Sequence, residues 1–279
     1  MIAVDNGARV WCSAKEMIGE GENKMHIREI AHLAPDYFEI NREERNYAAI
    51  FFAALCRPGN TEKFLQHCGI DKRVDHPDFG IYFEYAYLRD LWKEISKDKT
   101  RGEGTKKQII RMHLPIKGID EILEMPSTEI NRRFGIGGKV LQYPGRWEVA
   151  KYNGNFDDND DFLKICRFKW SFNIKPDVVI HLDKDNVICI EAKYESREGS
   201  YPSSKLEKSI FHRRGLEKVG QVELQKYMMQ ELLGLRADYI ILRKRNETKK
   251  ELSWAEVFNC LDMSEMPVFA RRMAKKISE

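Results

Sequence analysis

Apolar positions recur at helical spacing through the first half of the chain and in short blocks through the second. Over 41–56, Ala48, Phe51, Phe52 and Leu55 share one face, with Asn41 placed as N-cap and Glu43 and Glu44 in the first turn, which predicts a helix. Arg57-Pro58-Gly59-Asn60 ends it, and Thr61–Leu65 opens a short second helix. Residues 82–97 read as a long amphipathic helix. A helical or mixed stretch begins at Ile109, and 119–134 reads as helix broken near Pro126. The pattern changes at Gly135-Ile136-Gly137-Gly138. Trp147–Tyr152 and Phe168–Phe172 read as strands, and 153–161 as an acidic loop between them. Val178-Val179-Ile180 and Val187-Ile188-Cys189-Ile190 flank Asp183-Lys184-Asp185-Asn186, the signature of a β-hairpin. Gln221–Leu233 predicts a helix that buries Gln225, Met228, Met229 and Leu232 on one face. Ala237–Arg243 reads as a buried strand, and the tail from Trp254 as helix. Residues 1–24 read as a loosely attached arm, and 25–36 as a short helix or strand.

This order predicts an α/β fold with a central sheet flanked by helices. A mainly helical region over 1–135 leads into an α/β core over 136–279. Length and composition change the picture little: 279 residues, 42% hydrophobic and 33% charged, fit one large domain or a core with a sub-domain. A net charge of +3 means that any nucleic-acid-binding field must come from local clusters. The six cysteines are scattered without a CxxC pair, which argues against a zinc ribbon or iron–sulfur cluster and for reduced thiols in a cytoplasmic protein. His67-Cys68 with His76 matches no metal spacing. The start of the chain lacks a signal-peptide pattern, and no apolar run is long enough to cross a membrane. The glycines at 135–138 lack the Lys-Ser/Thr of a phosphate loop, and Asp157–Asp161 lacks the glycine and glutamate of a calcium loop.

The candidate chemistry lies at the strand ends of the hairpin. Asp177 leads into its first strand, and Glu191 and Lys193 follow its second. Side chains alternate across a strand, so Glu191 and Lys193 share a face, and Asp177 joins them if the register follows the turn. Two carboxylates beside one ammonium can hold a hard divalent cation such as Mg²⁺. The bland alternative is a surface hairpin with solvated charges at its ends. Pro176-Asp177 followed by Glu191-Ala192-Lys193 resembles the signature of the PD-(D/E)XK nuclease superfamily, over about twenty residues.

That resemblance implies a restriction-endonuclease-like fold and a metal-dependent phosphodiesterase, DNA being favoured over RNA as substrate. Asp177, Glu191 and the Ala192 carbonyl would hold Mg²⁺, with Mn²⁺ as an alternative, and Lys193 would position or activate water. Members of the superfamily often add an acidic residue from an earlier helix. Glu44, on the apolar face of the first helix, is the candidate; its bland partner is Arg45, another basic side chain, or solvent at the helix end. Glu129 is its rival, beside Arg132 and Arg133. Members resembling the RecB group carry Gln-x-x-x-Tyr on the following helix. Here Gln221 is followed four residues later by Gln225, so Gln221 either orients substrate or caps a core helix. Basic clusters nominate Arg213, Arg214, Arg243 and Lys244 for phosphate contact, and the loop 194–203 is placed to touch substrate. The competing expectation is a catalytically silent nucleic-acid-binding or assembly subunit, docking a protein or a second copy through its N-terminal region. Nothing chooses among restriction, repair, recombination and antiviral defence.

Overall fold

The computed structural model describes residues 40–71, 74–196, 198–244 and 251–279. The expected arm over 1–24, the element over 25–36, Arg245 and Lys249-Lys250 lie outside the described residues. Asn41–Glu279 forms one compact unit. It is α/β, with a mixed five-stranded sheet flanked by helices.

Strand β1 (Gly80–Phe83) pairs antiparallel with β2 (Val178–His181), which pairs antiparallel with β3 (Asn186–Ala192). Strands β4 (Ser200–Tyr201) and β5 (Val219–Gly220) form a separate antiparallel pair. The main sheet continues with β6 (Arg236–Arg243), parallel to β3, and β7 (Glu251–Ser253), parallel to β6. Its order, β1-β2-β3-β6-β7, puts β3 at the centre. That explains why β3 is buried along almost its whole length and reads as a continuous apolar run rather than an alternating one. The hairpin turn is fixed by Asp183, whose Oδ1 accepts hydrogen bonds from the backbone N–H of Asp185 and Asn186, each 2.8 Å.

Helices α1 (Glu44–Leu55) and α2 (Asn60–His67) come first, and α1 packs on β3 and β1. After β1 follow α3 (Tyr87–Ile95), α4 (Gly102–His113), α5 (Ile119–Glu124), α6 (Ser127–Arg133), α7 (Val149–Tyr152) and α8 (Asn159–Ser171). Helix α9 (Lys205–Arg213) precedes α10 (Gln221–Lys226), which runs on as a π-helical turn, Tyr227–Leu232. Helices α11 (Trp254–Cys260) and α12 (Val268–Ser278) close the chain. Val179, Val187 and Cys189 from one face of the hairpin join Phe162, Phe168, Leu224 and Met228 in the main core. Each such side chain contributes about 1.5–3 kcal/mol by burial.

Four sequence expectations are corrected. Phe168–Phe172 is not a strand: up to Ser171 it is the end of α8. That end of the helix buries Phe168, Lys169, Trp170 and Ser171 in succession, which erases helical periodicity. The acidic run before it starts the helix, with Asp158 accepting from the Asp161 N–H at 2.9 Å and Asp160 and Asp161 in the first turn. Trp147–Tyr152 likewise forms no strand but leads into the short α7. Gly135 explains the close fit there: its φ is +78°, and a Cβ would lie 2.7 Å from the Lys151 Cβ. The helix expected over 82–97 begins only at Tyr87. Tyr82 and Phe83 belong to β1, where aromatic side chains suit a pleated surface.

Candidate active site at the strand ends of the hairpin

The register that sets Val178 opposite Ile190 continues to set Asp177 opposite Glu191. Asp177 Oδ2 accepts a hydrogen bond from the Ala192 N–H at 2.8 Å, which ties the start of β2 to the end of β3. Glu191 is 3% exposed and Lys193 7%. The Lys193 ammonium donates to Glu191 Oε1 at 2.7 Å and lies 3.6 Å from Glu44 Oε1. Glu44 comes from the first turn of α1. Its Oε2 accepts from the Tyr194 N–H at 2.8 Å and the Ser196 hydroxyl at 2.6 Å. From the other side, Gln221 Nε2 donates to Glu191 Oε1, and Gln225 Nε2 donates to Oε2 at 2.7 Å. Three donors thus hold Glu191 in one orientation, while Gln225 Oε1 is buried without a partner among the described residues.

The surroundings fix this geometry. The Lys193 N–H donates to the Leu242 carbonyl at 2.8 Å, and the Trp254 indole N–H donates to the Lys193 carbonyl at 2.8 Å. Tyr194 stacks on Tyr47 with ring centroids 5.2 Å apart. The Gln221 N–H donates to the Gly199 carbonyl at 2.8 Å, and a Cβ on Gly199 would lie 2.6 Å from Gln221 Oε1. Glycine is what lets the 194–203 loop approach this amide. The cluster sits at the carboxyl ends of the parallel strands β3 and β6, where open α/β sheets commonly bind ligands.

Charge in the cluster is unbalanced among the described residues: the carboxylates of Asp177, Glu191 and Glu44 face the one ammonium of Lys193. Burial, and then the neighbouring Glu191, push the Asp177 carboxyl up to about 7, against the opposing pull of the Ala192 N–H and Lys193. Burial alone would lower the Lys193 pKa, but Glu191, Glu44 and Asp177 together raise it, so the side chain stays an ammonium. Among the described residues no three His, Cys, Asp or Glu side chains form a ready-made metal cage. The carboxylates of Asp177 and Glu191 are hard oxygen donors of the kind that Mg²⁺ takes in ones or twos beside phosphate oxygens and water.

The structure brings Asp177, Glu191, Ala192, Lys193, Glu44 and Gln221 together, from four elements spread over 178 positions of the chain. The basic candidates separate. Arg214 is committed to structure: its guanidinium donates to the carbonyls of Asn153 (2.6 Å), Phe156 (2.7 Å) and Asp157 (3.3 Å), to the side chains of Asn153 and Asn159, and lies over the Phe162 ring. Arg243 is taken up by buried Glu251 at 2.7 Å. Neither is free to meet a phosphate. Lys244 is exposed, with its Nζ 5.3 Å from the Tyr194 ring centroid, and Arg213 is exposed at the end of α9. Glu129 pairs with Arg132 away from the cluster.

Sequence reasoning missed Ser196 and Trp254. Ser196 stands in the loop that follows Lys193, which is the only local signal. Trp254 carries none, because its contact is with a backbone carbonyl sixty-one residues away. No family model matches this chain, and it finds no match among curated proteins or solved structures.

Proposed function

We propose that the chain is a metal-dependent phosphodiesterase of the PD-(D/E)XK type, acting on nucleic acid, DNA in the first place. The observation that carries this reading is the convergence of Asp177, Glu191 and Lys193 with Glu44 and Gln221 on one buried, negatively unbalanced strand end. Asp177, Glu191 and the Ala192 carbonyl would hold Mg²⁺ or Mn²⁺, which supplies Lewis-acid polarisation of the scissile phosphate and favours ionisation of water. The chain's own groups do the rest. Lys193, held as an ammonium by its carboxylates, donates hydrogen bonds to the attacking water and to the phosphate oxygens as negative charge grows on them. Gln221 and Gln225 fix Glu191, and Gln221 is near enough to the surface to orient the water as well. Glu44 holds Lys193 and the 194–196 backbone in position. Lys244 meets a flanking phosphate.

The test is cleavage of single-stranded, duplex and branched DNA and of RNA with Mg²⁺ or Mn²⁺, comparing wild type with Lys193→Ala and Asp177→Ala. Cleavage by wild type alone supports the assignment, and equal activity in all three sinks it. The second reading is a silent binding subunit. The Glu191 carboxylate, already met on both oxygens by Lys193, Gln221 and Gln225, favours it, and metal-independent DNA binding without cleavage of any substrate would establish it.

A further inference from the structure

A second cleft lies between α3, α4 and the segment 140–143, with a volume of about 490 Å³. We propose that it binds an organic phosphate, with the phosphate at Lys106 and the organic part against Leu141 and Tyr143. This site is separate from the hairpin cluster and does not depend on what that cluster does.

Lys106 carries the inference. It sits on α4, is 7% exposed, and lines the cleft. Its Nζ donates to Ser96 Oγ at 2.6 Å and lies 5.3 Å from the centroid of the Trp92 ring. No carboxylate of the described residues lies within ion-pair distance of it; burial draws its pKa down, Glu103 acting from further off raises it, and Lys99 lowers it again. An ammonium has three donors, so two of them have no protein acceptor among the described residues. A buried cation with no carboxylate in direct contact is costly unless something anionic completes it.

The cleft is built to supply that anion's other contacts. Arg89, Lys93 and Lys99 stand exposed around it, and Lys93 and Lys99 form no ion pair among the described residues. Neither acidic residue of the lining is in contact with the Lys106 ammonium. Asp98 Oδ1 accepts from the Thr100 and Arg101 N–H groups, each 2.9 Å, and Glu103 lies 3.9 Å from Lys107. The first turn of α4, twelve residues long and without a side-chain cap, opens at Gly102 and Glu103, which also line the cleft. Its dipole adds to the positive field. Leu141 and Tyr143 form an apolar wall. The volume falls in the range of small-molecule sites and exceeds what inorganic phosphate alone would fill.

The experiment is a thermal-shift and calorimetric titration of the full chain, free of divalent metal, with AMP, glycerol 3-phosphate, inorganic phosphate and adenosine. At least one organic phosphate is expected to bind more tightly than inorganic phosphate and raise Tm by about 2–4 °C near saturation, while adenosine does not bind. Lys106→Met should abolish this binding. Because that residue is buried, Lys93→Ala combined with Lys99→Ala serves as a second variant. Both positions are exposed, and the pair should weaken binding about tenfold with the fold intact. Lys193→Ala should leave it unchanged. No binding by any of the phosphates, equal binding of inorganic and organic phosphate, or equal affinity in wild type and the cleft variants would each overturn the proposal, and loss in Lys193→Ala would assign the binding to the hairpin instead.

Discussion

The two ends of one hairpin hold aspartates that behave in opposite ways. At the turn, Asp183 is half-buried, and its carboxylate accepts from the Asp185 and Asn186 N–H groups and the Asn186 amide, which hold its pKa down to about 2. At the strand ends, Asp177 is also half-buried but lies beside buried Glu191, and loss of solvent together with that carboxylate pushes its pKa up to about 7. The same residue type, six positions apart, is held ionised by its hydrogen bonds at one end and resists ionisation at the other. A carboxylate kept where burial penalises its charge is a mark of a functional site. One satisfied by its own turn is a mark of folding.

The sharpest way to break the comparison is to neutralise each aspartate in turn. Asp177→Asn keeps an oxygen to accept from Ala192 but loses the charge. Cleavage is expected to fall by at least about a hundredfold, the loss of several kcal/mol of charge stabilisation. Glu191→Gln is expected to match it, since Glu191 is the carboxylate that receives Lys193, Gln221 and Gln225. Asp183→Asn should leave cleavage unchanged and weaken the turn.

Stability against pH should separate the two ends by sign. The folded pKa of Asp177 lies above the unfolded value of about 3.9, so the folded state binds its proton more tightly. The stability this contributes, without metal, is full below about pH 4 and is lost as pH rises to about 7. For Asp183 the folded pKa lies below the unfolded value. Its contribution is present above about pH 4 and is lost as pH falls through about 2. Thermal unfolding from pH 2 to 8 is therefore expected to show Asp177→Asn more stable than wild type at pH 8 by a few degrees, the gain fading toward pH 4. Asp183→Asn should be less stable at neutral pH, the deficit fading below pH 4. Opposite trends, or none, would remove the distinction between the ends.

Arg214→Ala sharpens a different contrast, that between a basic residue used for structure and one left for substrate. Losing a charged donor to three backbone carbonyls is expected to cost about 1.5–3 kcal/mol in urea unfolding, with little change in DNA affinity at fixed salt. Lys244→Ala should do the reverse on a smaller scale, leaving stability unchanged and lowering the slope of log affinity on log salt by about one.

What could be read in advance was local. The hairpin declares itself through β-branched runs around an Asp-Lys-Asp-Asn turn, and alternation alone puts Glu191 and Lys193 on one face. Glu44 was reachable through its position on the apolar face of α1, but its acceptance of the Tyr194 and Ser196 hydrogen bonds depends on docking across 150 residues. Gln225 looked like an interior helix residue until its register against β3 brought it to Glu191. Helix α8 was misread because burial around its last turn leaves no polar stripe. Arg213 and Arg214 look alike as a dipeptide, yet one is exposed and the other is locked into the 153–159 loop. Periodicity reports one face of one element, and these distinctions arise only where elements meet.

The most direct measurement is single-turnover cleavage of a DNA duplex with Mg²⁺ by wild type, Asp177→Asn and Asp183→Asn side by side. Wild type and Asp183→Asn are expected to cut at equal rates and Asp177→Asn at least about a hundredfold more slowly. Cleavage by Asp177→Asn at the wild-type rate would contradict the assignment of the strand ends of this hairpin as the catalytic centre.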